Sequence, residues 1–365
     1  MVIPIENSKT LSTINIKAVG IGNAGGNILS RIYNKINGVQ FVIFNTDAFA
    51  LQNAKGDIKI QIGEKTTKGT GTGKDPEKGR FAASEDKEKI AEALKNTQIL
   101  FLVAGLGGGT GTGGAPVIAK IAKDLGAIVI SLVTTPFDLE GEKIKQYANE
   151  GLEILLKNVD TLIHISNQKL YEIVEDKTSC EKAFEKIDEI IMNTISSLSD
   201  LIYKPKLLDI DLANICSVVE NAGRGIVGIG SGKGEGRIEQ AVKSTIENPL
   251  IEKSEIMEAK NILISIIGSP DLTLKEFREG VSLIQSRISS PSTFLGLATD
   301  PNLTDEVKIT LLATGIGKSP TPVEKPYTPY PSKPKKSEEL PLDKEIIEEI
   351  IDEPIWKSRE KGEEI

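Results

Sequence analysis

The sequence has very little histidine, cysteine or tryptophan: its 365 residues include one His, two Cys and one Trp. A single histidine excludes zinc sites built from several His and Cys ligands, and it argues against a Ser-His-Asp triad. That residue, His164, lies in an apolar strand pattern and is expected to have a structural role. The cysteines, Cys180 and Cys216, lack C-x-x-C spacing and are too few for a disulfide framework, so we expect a reducing compartment.

Long apolar runs and an excess of positive charge are also missing. No apolar run approaches the roughly 18 residues that a membrane span requires, and residues 1–17 lack the basic cluster and apolar core of a signal peptide. The formal net charge is -8, whereas a general nucleic-acid surface requires an excess of lysine and arginine. We therefore expect a cytoplasmic protein that does not insert into a membrane and does not bind nucleic acid.

The order of strand and helix patterns predicts an α/β fold with a doubly wound, mostly parallel sheet. Strand and helix patterns alternate through residues 14–180, and such alternation favours parallel strands joined by helices. A helical stripe over residues 181–202 predicts a long central helix, and further strand patterns predict a second, smaller α/β domain. The predicted segments are an N-terminal extension (1–13), a sheet domain (14–180), a connecting helix (181–205), a second domain (206–317), a flexible linker (318–344) and a disordered tail with a partner-binding peptide (345–365).

Two helix boundaries follow from local signals. Apolar spacing predicts one helix over residues 84–94, and the pair Thr273 and Glu276 forms the capping-box pattern of a helix start.

A glycine-rich segment at residues 105–114 is the most specific motif, because seven of its ten residues are glycine. It lies between an apolar run and a helix predicted to open at Ala115. Without Cβ atoms, several backbone N–H groups can converge in front of the positive end of that helix. No Gly-Lys-Ser/Thr follows, so the segment is not a Walker A loop. It predicts a phosphate site neutralised by backbone dipoles, hydroxyls and a cation rather than by a loop lysine.

Two further glycine-rich segments help to distinguish a dinucleotide-binding site from another kind of nucleotide site. Residues 20–25 read G-x-G-x-x-G after a strand pattern, and Asp47 follows about twenty residues later, as in a dinucleotide-binding fingerprint. That motif alone would support an NAD-dependent oxidoreductase, which stays open as a remote alternative. A dinucleotide enzyme does not explain the segments at 69–73 and 105–114, so a different nucleotide site is favoured.

Together these motifs resemble the tubulin-like bacterial cell-division family FtsZ. The resemblance runs from about residue 14 to residue 317 and is carried by segments that match the family's nucleotide loops in order: 45–48, 69–73 with Pro76 and Glu77, 107–113, and 136–141. Residues 351–359, from Ile351 to Arg359, resemble its C-terminal partner-binding peptide. The resemblance implies a tubulin/FtsZ-like fold and GTP as the ligand. It further implies a self-polymerising GTPase of the division ring at midcell.

The resemblance also implies which residues contact the phosphates. Those expected at the inner phosphates are Gly20, Gly22, Asn23, Ala24, Gly25, Gly26 and Asn27. Those expected at the outer phosphates are Gly107, Gly108, Gly109, Thr110, Gly111, Thr112 and Gly113. The segment that closes over the γ-phosphate consists of Gly71, Thr72 and Gly73.

The ribose and the base are assigned by the same resemblance. Glu140 is expected to accept from the ribose hydroxyls, and Asn45 and Asp47 also belong to the site. Phe184 matches the aromatic that stacks on guanine, and the residues expected near the base edge are Asn167, Asp188 and Glu189. Core packing of Phe184 and a solvated helix face for Glu189 remain open as alternatives.

By the resemblance, hydrolysis of GTP to GDP and phosphate requires assembly, because residues 208–214 of one subunit cover the nucleotide of the next. The candidate catalytic residues are Asp211, Asp209 and Asn214. Asn214 replaces a carboxylate of the family pattern, and Ile144 stands where an arginine is common, so Lys143 or a bound metal is expected to supply part of the missing charge. Mg²⁺ is the expected metal, and a monovalent cation is a further candidate.

These departures leave a second function open, a filament-forming or regulatory relative that binds GTP with little hydrolysis. The expected partners are further copies of the chain in a head-to-tail filament, and division proteins and membrane tethers bound through residues 351–359.

Overall fold

The computed structural model describes residues 14–175, 177–203, 207–208, 212–247, 256–288 and 291–317. The strands of this part are β1 (Ile16–Ile21), β2 (Val39–Asn45), β3 (Ile58–Gln61), β4 (Ile99–Gly105), β5 (Ile128–Thr135), β6 (Thr161–Ser166), β7 (Gly223–Lys233), β8 (Asn261–Gly268), β9 (Ser292–Thr299) and β10 (Glu306–Ile316). The predicted extension, linker and tail lie outside the described residues.

The α-helices of the described part are α1 (Gly22–Ile32), α2 (Ala48–Asn53), α3 (Glu64–Thr67), α4 (Pro76–Glu85), α5 (Lys87–Leu94), α6 (Thr110–Asp124), α7 (Glu142–Leu156), α8 (Leu170–Ile173), α9 (Cys180–Tyr203), α10 (Leu212–Val219), α11 (Arg237–Ile246) and α12 (Leu274–Gln285). None of the described helices is both long and apolar enough to cross a membrane.

The described strands form one sheet in the order β3-β2-β1-β4-β5-β6-β7-β10-β8-β9. Strands β1 to β6 are parallel to their neighbours. Successive side chains enter opposite cores, since Ile16 and Ala18 of β1 join one apolar cluster and Val19 and Ile21 join the other. Helices therefore cover both faces. The predicted α/β fold with a doubly wound, mostly parallel sheet is confirmed.

The long central helix is confirmed as α9. Its 24 residues span about 36 Å at ~1.5 Å per residue, and it buries a stripe with helical spacing that includes Ile187, Ile191, Ile195 and Leu198. This stripe packs against the same core as α1. The helix thus joins the first domain to the elements that follow it.

The second domain continues the same sheet. Thr161 to Ile163 of β6 pair in parallel with Gly223 to Gly225 of β7, and β10 runs antiparallel between β7 and β8. Helices α11 and α12 pack on this part over a third apolar cluster. The smaller α/β domain is therefore confirmed, although nothing in the sequence indicated that the two domains share one sheet.

The single helix predicted over residues 84–94 is wrong. The chain forms α4 and α5 with a break at Asp86, whose carboxylate accepts from the backbone N–H of Gly63 at 2.7 Å. α4 begins earlier because the Asp75 side chain accepts from the first-turn N–H groups and Pro76 stands at the first helical position. The capping signals at residues 75–76 outweigh the apolar spacing.

Arg237, at the start of α11, is buried and holds three acidic side chains of the second domain. Its guanidinium donates to Glu276 (Nε to Oε1, 2.7 Å), Asp271 (Nη1 to Oδ2, 3.0 Å) and Asp305 (Nη1 to Oδ1, 3.2 Å). Glu276 also completes the predicted capping box with Thr273 at the start of α12. The hydrogen bonds from Arg237 lower the pKa of Glu276 from 4.5 to about 2.

We expect acid to destabilise the second domain through Glu276. Because its folded pKa is lowered, the carboxylate contributes stability above about pH 4.5, and that contribution is lost as pH falls toward 2, by up to about 3 kcal/mol. Urea unfolding at pH 5, 4 and 3 should show a steeper loss for the wild type than for Glu276→Gln. Glu239→Gln, at an exposed position of α11, should behave as the wild type. Equal pH slopes for the wild type and Glu276→Gln would contradict this assignment.

Candidate nucleotide-binding site

The three glycine-rich segments interlock at the carboxyl ends of β1, β2 and β4. We call residues 20–25 the first segment, residues 105–114 the second and residues 69–73 the third. A Cβ added to Gly105 would lie 2.5 Å from the Cβ of Ala24, and one added to Gly109 would lie 2.1 Å from Oγ1 of Thr72. The segments therefore touch one another, and there is no room for a side chain at Gly105 or Gly109. Their position matches the edge where ligands bind in open α/β sheets.

The second segment ends in a helix rather than in a loop. We predicted that the helix opens at Ala115, and this is wrong because α6 begins at Thr110. A Cβ at Gly113 would lie 1.8 Å from the carbonyl oxygen of Pro76, so close packing of α4 stabilises a glycine-rich first turn despite its low helix propensity. The predicted outer-phosphate residues Thr110, Gly111, Thr112 and Gly113 thus form the first turn of α6. The N–H of Gly113 donates to the carbonyl of Gly109 at 2.9 Å, whereas the N–H groups that precede it at the helix start lack helical partners.

Hydroxyls fix the shape of this segment. Oγ1 of Thr112 accepts from the backbone N–H of Gly107 at 2.9 Å, and Gly107 has φ +97, a conformation that favours glycine. Oγ1 of Thr110 lies 2.7 Å from Oγ1 of Thr46. The turn between β4 and α6 is therefore held in one conformation from both sides.

Asn45 and Asp47 connect β2 to the first segment. The buried Asn45 donates from Nδ2 to Oδ1 of Asn23 at 2.8 Å and accepts at Oδ1 from the N–H of Asp47. Asp47 caps α2 by accepting from the N–H of Ala50 at 3.0 Å. Asn23 lies in the first glycine-rich segment, so the structure brings this predicted pair to the site.

An aromatic cluster lies at the ends of β5 and β6. The ring of Phe137 contacts Tyr171 and Phe184 edge to face, with ring centroids 5.6 and 6.0 Å away. Phe184 remains 40 % exposed, so it is not a core residue, and one part of its ring is open to a stacking partner.

Two predicted polar residues lie beside this cluster. Oε1 of Glu140 accepts from the backbone N–H of Phe137 at 3.0 Å. Oδ1 of Asn167 is buried without a hydrogen-bond partner among the described residues. A buried acceptor without a donor is costly, and a ligand N–H or O–H would satisfy it.

The structure separates the two predicted base-edge carboxylates. Asp188 is buried, and both of its oxygens accept from the guanidinium of Arg31 on α1, with Nη2 2.9 Å from Oδ1; this hydrogen bonding raises the pKa of Arg31. Glu189 is exposed and pairs with Lys186 at 2.9 Å. Sequence reasoning missed Arg31, because it is 157 residues from Asp188 and no local motif marks it.

We expect Asp188 and Glu189 to differ strongly in nucleotide binding. Asp188→Asn should weaken GTP binding by about 10- to 100-fold, because a hydrogen bond to a charged group contributes roughly 1.5–3 kcal/mol. Glu189→Gln should bind GTP within two-fold of the wild type. Titration calorimetry with GTP measures both, and equal losses in the two variants would contradict this distinction.

The residues around Ile144 supply little charge to the second segment. Ile144 packs directly on Gly107, since a Cβ there would meet Cγ2 of Ile144 at 2.8 Å. Nζ of the exposed Lys143 lies 5.5 Å from the ring centroid of Tyr147. No group of three or more His, Cys, Asp or Glu that could hold a metal occurs among the described residues.

The candidate catalytic residues are only partly within the described chain. Asp209 and Asp211 lie outside the described residues, and Asn214 lies in the first turn of α10. The segment just before them is fixed, because the N–H groups of Leu207 and Leu208 both donate to the carbonyl of Leu297 on β9. His164 lies on β6 with Nε2 2.7 Å from Oγ1 of Thr135, a contact that fits its expected structural role.

A doubly wound sheet with three interlocked glycine-rich segments at its carboxyl edge, followed by a long helix and a second α/β domain, defines the tubulin-like class of nucleotide-binding proteins. Residues 15–175 match the model described as Tubulin/FtsZ family, GTPase domain. Residues 223–317 match that of the FtsZ family, C-terminal domain.

Curated relatives and solved structures agree with these matches. The chain is 40% identical over 313 residues to cell division protein FtsZ of Pseudomonas putida, covering 85% of this chain and 78% of the relative. It is 40% identical over 304 residues to FtsZ of Azotobacter vinelandii, covering 83% and 77%. An empty FtsZ dimer from M. jannaschii has a TM-score of 0.76 at 40% identity, covering 83% and 88%.

A more distant structure supports the fold alone. CetZ2 from Haloferax volcanii, as a GTPgS-bound protofilament, has a TM-score of 0.70 at 21% identity, covering 84% and 94% of the two chains. The chain therefore belongs to the FtsZ family, and its first domain is a GTPase domain. The predicted resemblance is confirmed, and the oxidoreductase alternative is left without support.

Proposed function

We propose that this chain binds GTP, polymerises head to tail and hydrolyses GTP at the subunit interface, as a filament-forming protein of bacterial cell division. The observation that carries the proposal is the glycine-rich wall that the three segments form around the first turn of α6, where several glycines leave no room for side chains of their own. Backbone N–H groups at a helix start bind phosphate well. Family membership makes GTP the nucleotide.

The residues present fit a guanine nucleotide along its whole length. The glycine-rich segments would receive the phosphates, Glu140 the ribose, and Phe184 and Asp188 the base. Residues 105–114 contain no lysine or arginine, so Mg²⁺ would supply part of the charge that a triphosphate requires. It would be held mainly by phosphate oxygens and water, since Mg²⁺ commonly takes only one or two protein carboxylates.

A second copy of the chain would complete the reaction site. Two large apolar side chains that flank the glycine-rich segments are strongly exposed, Phe49 at 74% and Leu139 at 75%. Exposed apolar surface of this kind is typical of contact sites. We assign the other side of the contact to the segment containing Asp209, Asp211 and Asn214, which would face the neighbour's γ-phosphate. A contact between unlike faces does not close on itself and extends into a filament.

The alternative of a GTP-binding filament with little hydrolysis rests on two observations. Ile144, which packs on Gly107, brings no positive charge, and Asn214 cannot act as a carboxylate base. The tail peptide, residues 351–359, would bind division proteins and membrane tethers at midcell in the cytoplasm.

One measurement on one sample tests the proposal. Purified protein is incubated with GTP and Mg²⁺ over a range of concentrations, and pelleted protein and released phosphate are measured together. We expect both to rise above the same threshold concentration. Phosphate release proportional to protein at all concentrations would argue against a shared site, and polymer without phosphate would favour the alternative. No GTP binding at all would overturn both.

A further inference from the structure

Thr46 connects the end of β2 to the two other nucleotide segments. It is completely buried, and its hydroxyl lies 2.7 Å from that of Thr110. Its carbonyl oxygen accepts from Oγ1 of Thr67 at 3.2 Å and from the N–H of Gly71 at 3.3 Å. One residue thus joins the β2 end, the third glycine-rich segment and the start of α6.

The direction of the hydroxyl bond follows from proton counting. A threonine hydroxyl has one proton to donate and two lone pairs that accept. Among the described residues, Oγ1 of Thr110 is the only partner of Oγ1 of Thr46. If Thr110 were the donor, the proton of Thr46 would be buried without an acceptor, which is unfavourable. Thr46 is therefore the donor, and Thr110 is the acceptor.

The proton of Thr110 is then free to be donated elsewhere. Thr110 is the first residue of α6, and its Cβ lies against Gly22 of the first segment. A phosphate oxygen held between these two segments would lie near the Thr110 hydroxyl. Because a hydroxyl that accepts one hydrogen bond becomes a stronger donor of another, the buried Thr46 would strengthen this contact.

We propose that Thr46 is a positioning residue for the nucleotide: it donates to Thr110 and thereby sets the Thr110 hydroxyl as a donor to a phosphate oxygen of GTP. The inference rests on the proposed function, because it requires a phosphate ligand. Thr46 itself does not touch the nucleotide. Its effect is transmitted only through Thr110.

The test is a double-mutant cycle on GTP affinity. The dissociation constant for GTP is measured for the wild type, Thr46→Val, Thr110→Val and the double variant, together with the melting temperature of each. We expect Thr46→Val to bind GTP about three- to ten-fold more weakly, as for the loss of one neutral hydrogen bond, because the Thr110 hydroxyl keeps its proton but loses the bond that orients and strengthens it. The double variant should bind no more weakly than Thr110→Val alone.

Two controls separate positioning from general destabilisation. Thr46→Ser keeps the hydroxyl and should bind GTP within about two-fold of the wild type. Thr161→Val removes another fully buried hydroxyl, which donates to the carbonyl oxygen of Val219 at 2.6 Å. Thr161 is the first residue of β6 and therefore lies away from the carboxyl edge of the sheet, where the glycine-rich segments are. Thr161→Val should lower the melting temperature without weakening GTP binding. If Thr46→Val does not fold, Thr46→Ala replaces it, with the same expected loss.

The outcomes distinguish this inference from the proposed function. A wild type that does not bind GTP would remove the proposed function itself. A wild type that binds GTP, with Thr46→Val binding equally well, would overturn only the role of Thr46. Additive losses in the double variant would also overturn it, because Thr46 would then act independently of Thr110.

Discussion

Gly113→Ala should abolish GTP binding and lower the free energy of unfolding by at least about 3 kcal/mol. The added Cβ would lie 1.8 Å from the carbonyl oxygen of Pro76 and 2.6 Å from the backbone nitrogen of Arg80. Both are backbone atoms, so α4 would have to move away from α6. Overpacking of a filled interior costs roughly 1–3 kcal/mol or more, and here the displaced element also carries the close contact between Gly79 and Gly109.

The adjacent glycine provides the control. Gly114 lies in the same helix, but a Cβ there would find its nearest neighbours at 3.7 Å. Gly114→Ala should therefore fold normally and gain up to about 1 kcal/mol from the higher helix propensity of alanine. Thermal unfolding and GTP titration of both variants provide the comparison. Similar melting temperatures for Gly113→Ala and Gly114→Ala would show that α4 and α6 are not packed as described.

Asp211→Ala should reduce assembly-dependent GTP hydrolysis by about 10²-fold or more while leaving GTP affinity unchanged. General-base assistance contributes about 10²–10⁴ in rate, and by the proposed function Asp211 acts on the nucleotide of the neighbouring subunit rather than on its own. Phosphate release, measured above the threshold concentration for polymer, reports the loss. GTP titration of the same variant reports the binding.

Four comparisons test this result. Glu220→Gln, an exposed position just after α10, should hydrolyse GTP as the wild type does. Asn214→Asp should raise the rate if the missing second carboxylate limits turnover. If wild type and Asp211→Ala release phosphate equally slowly, the chain is a GTP-binding filament former with little hydrolysis. A loss of GTP affinity in Asp211→Ala would contradict a base supplied by the neighbour.

Much of the fold could be predicted from the sequence because its signals are local. Apolar strands between glycine-rich turns gave the parallel sheet, and the stripe through Ile187, Ile191 and Ile195 gave the central helix. The capping box at Thr273 gave the start of α12. Each of these signals is set by spacing within a few residues.

The features that could not be predicted depend on contacts between distant segments. The first turn of α6 forms from glycine-rich sequence because α4 packs against it. The pairing of β6 with β7 joins residues about sixty positions apart. Likewise, the contact of Asp188 with Arg31 and that of Thr46 with Thr110 depend on the arrangement of whole elements. No local pattern encodes such partners.

The glycine-built wall of the phosphate site also limits how this protein can diverge. Where this wall consists of glycine main-chain atoms, it offers no side chain whose replacement could adjust affinity in small steps, and most replacements of those glycines would only break it. Evolutionary change in nucleotide turnover is therefore confined to the surrounding side chains. Ile144 and Asn214, two of the departures that the resemblance implies, both lie outside the glycine-rich segments.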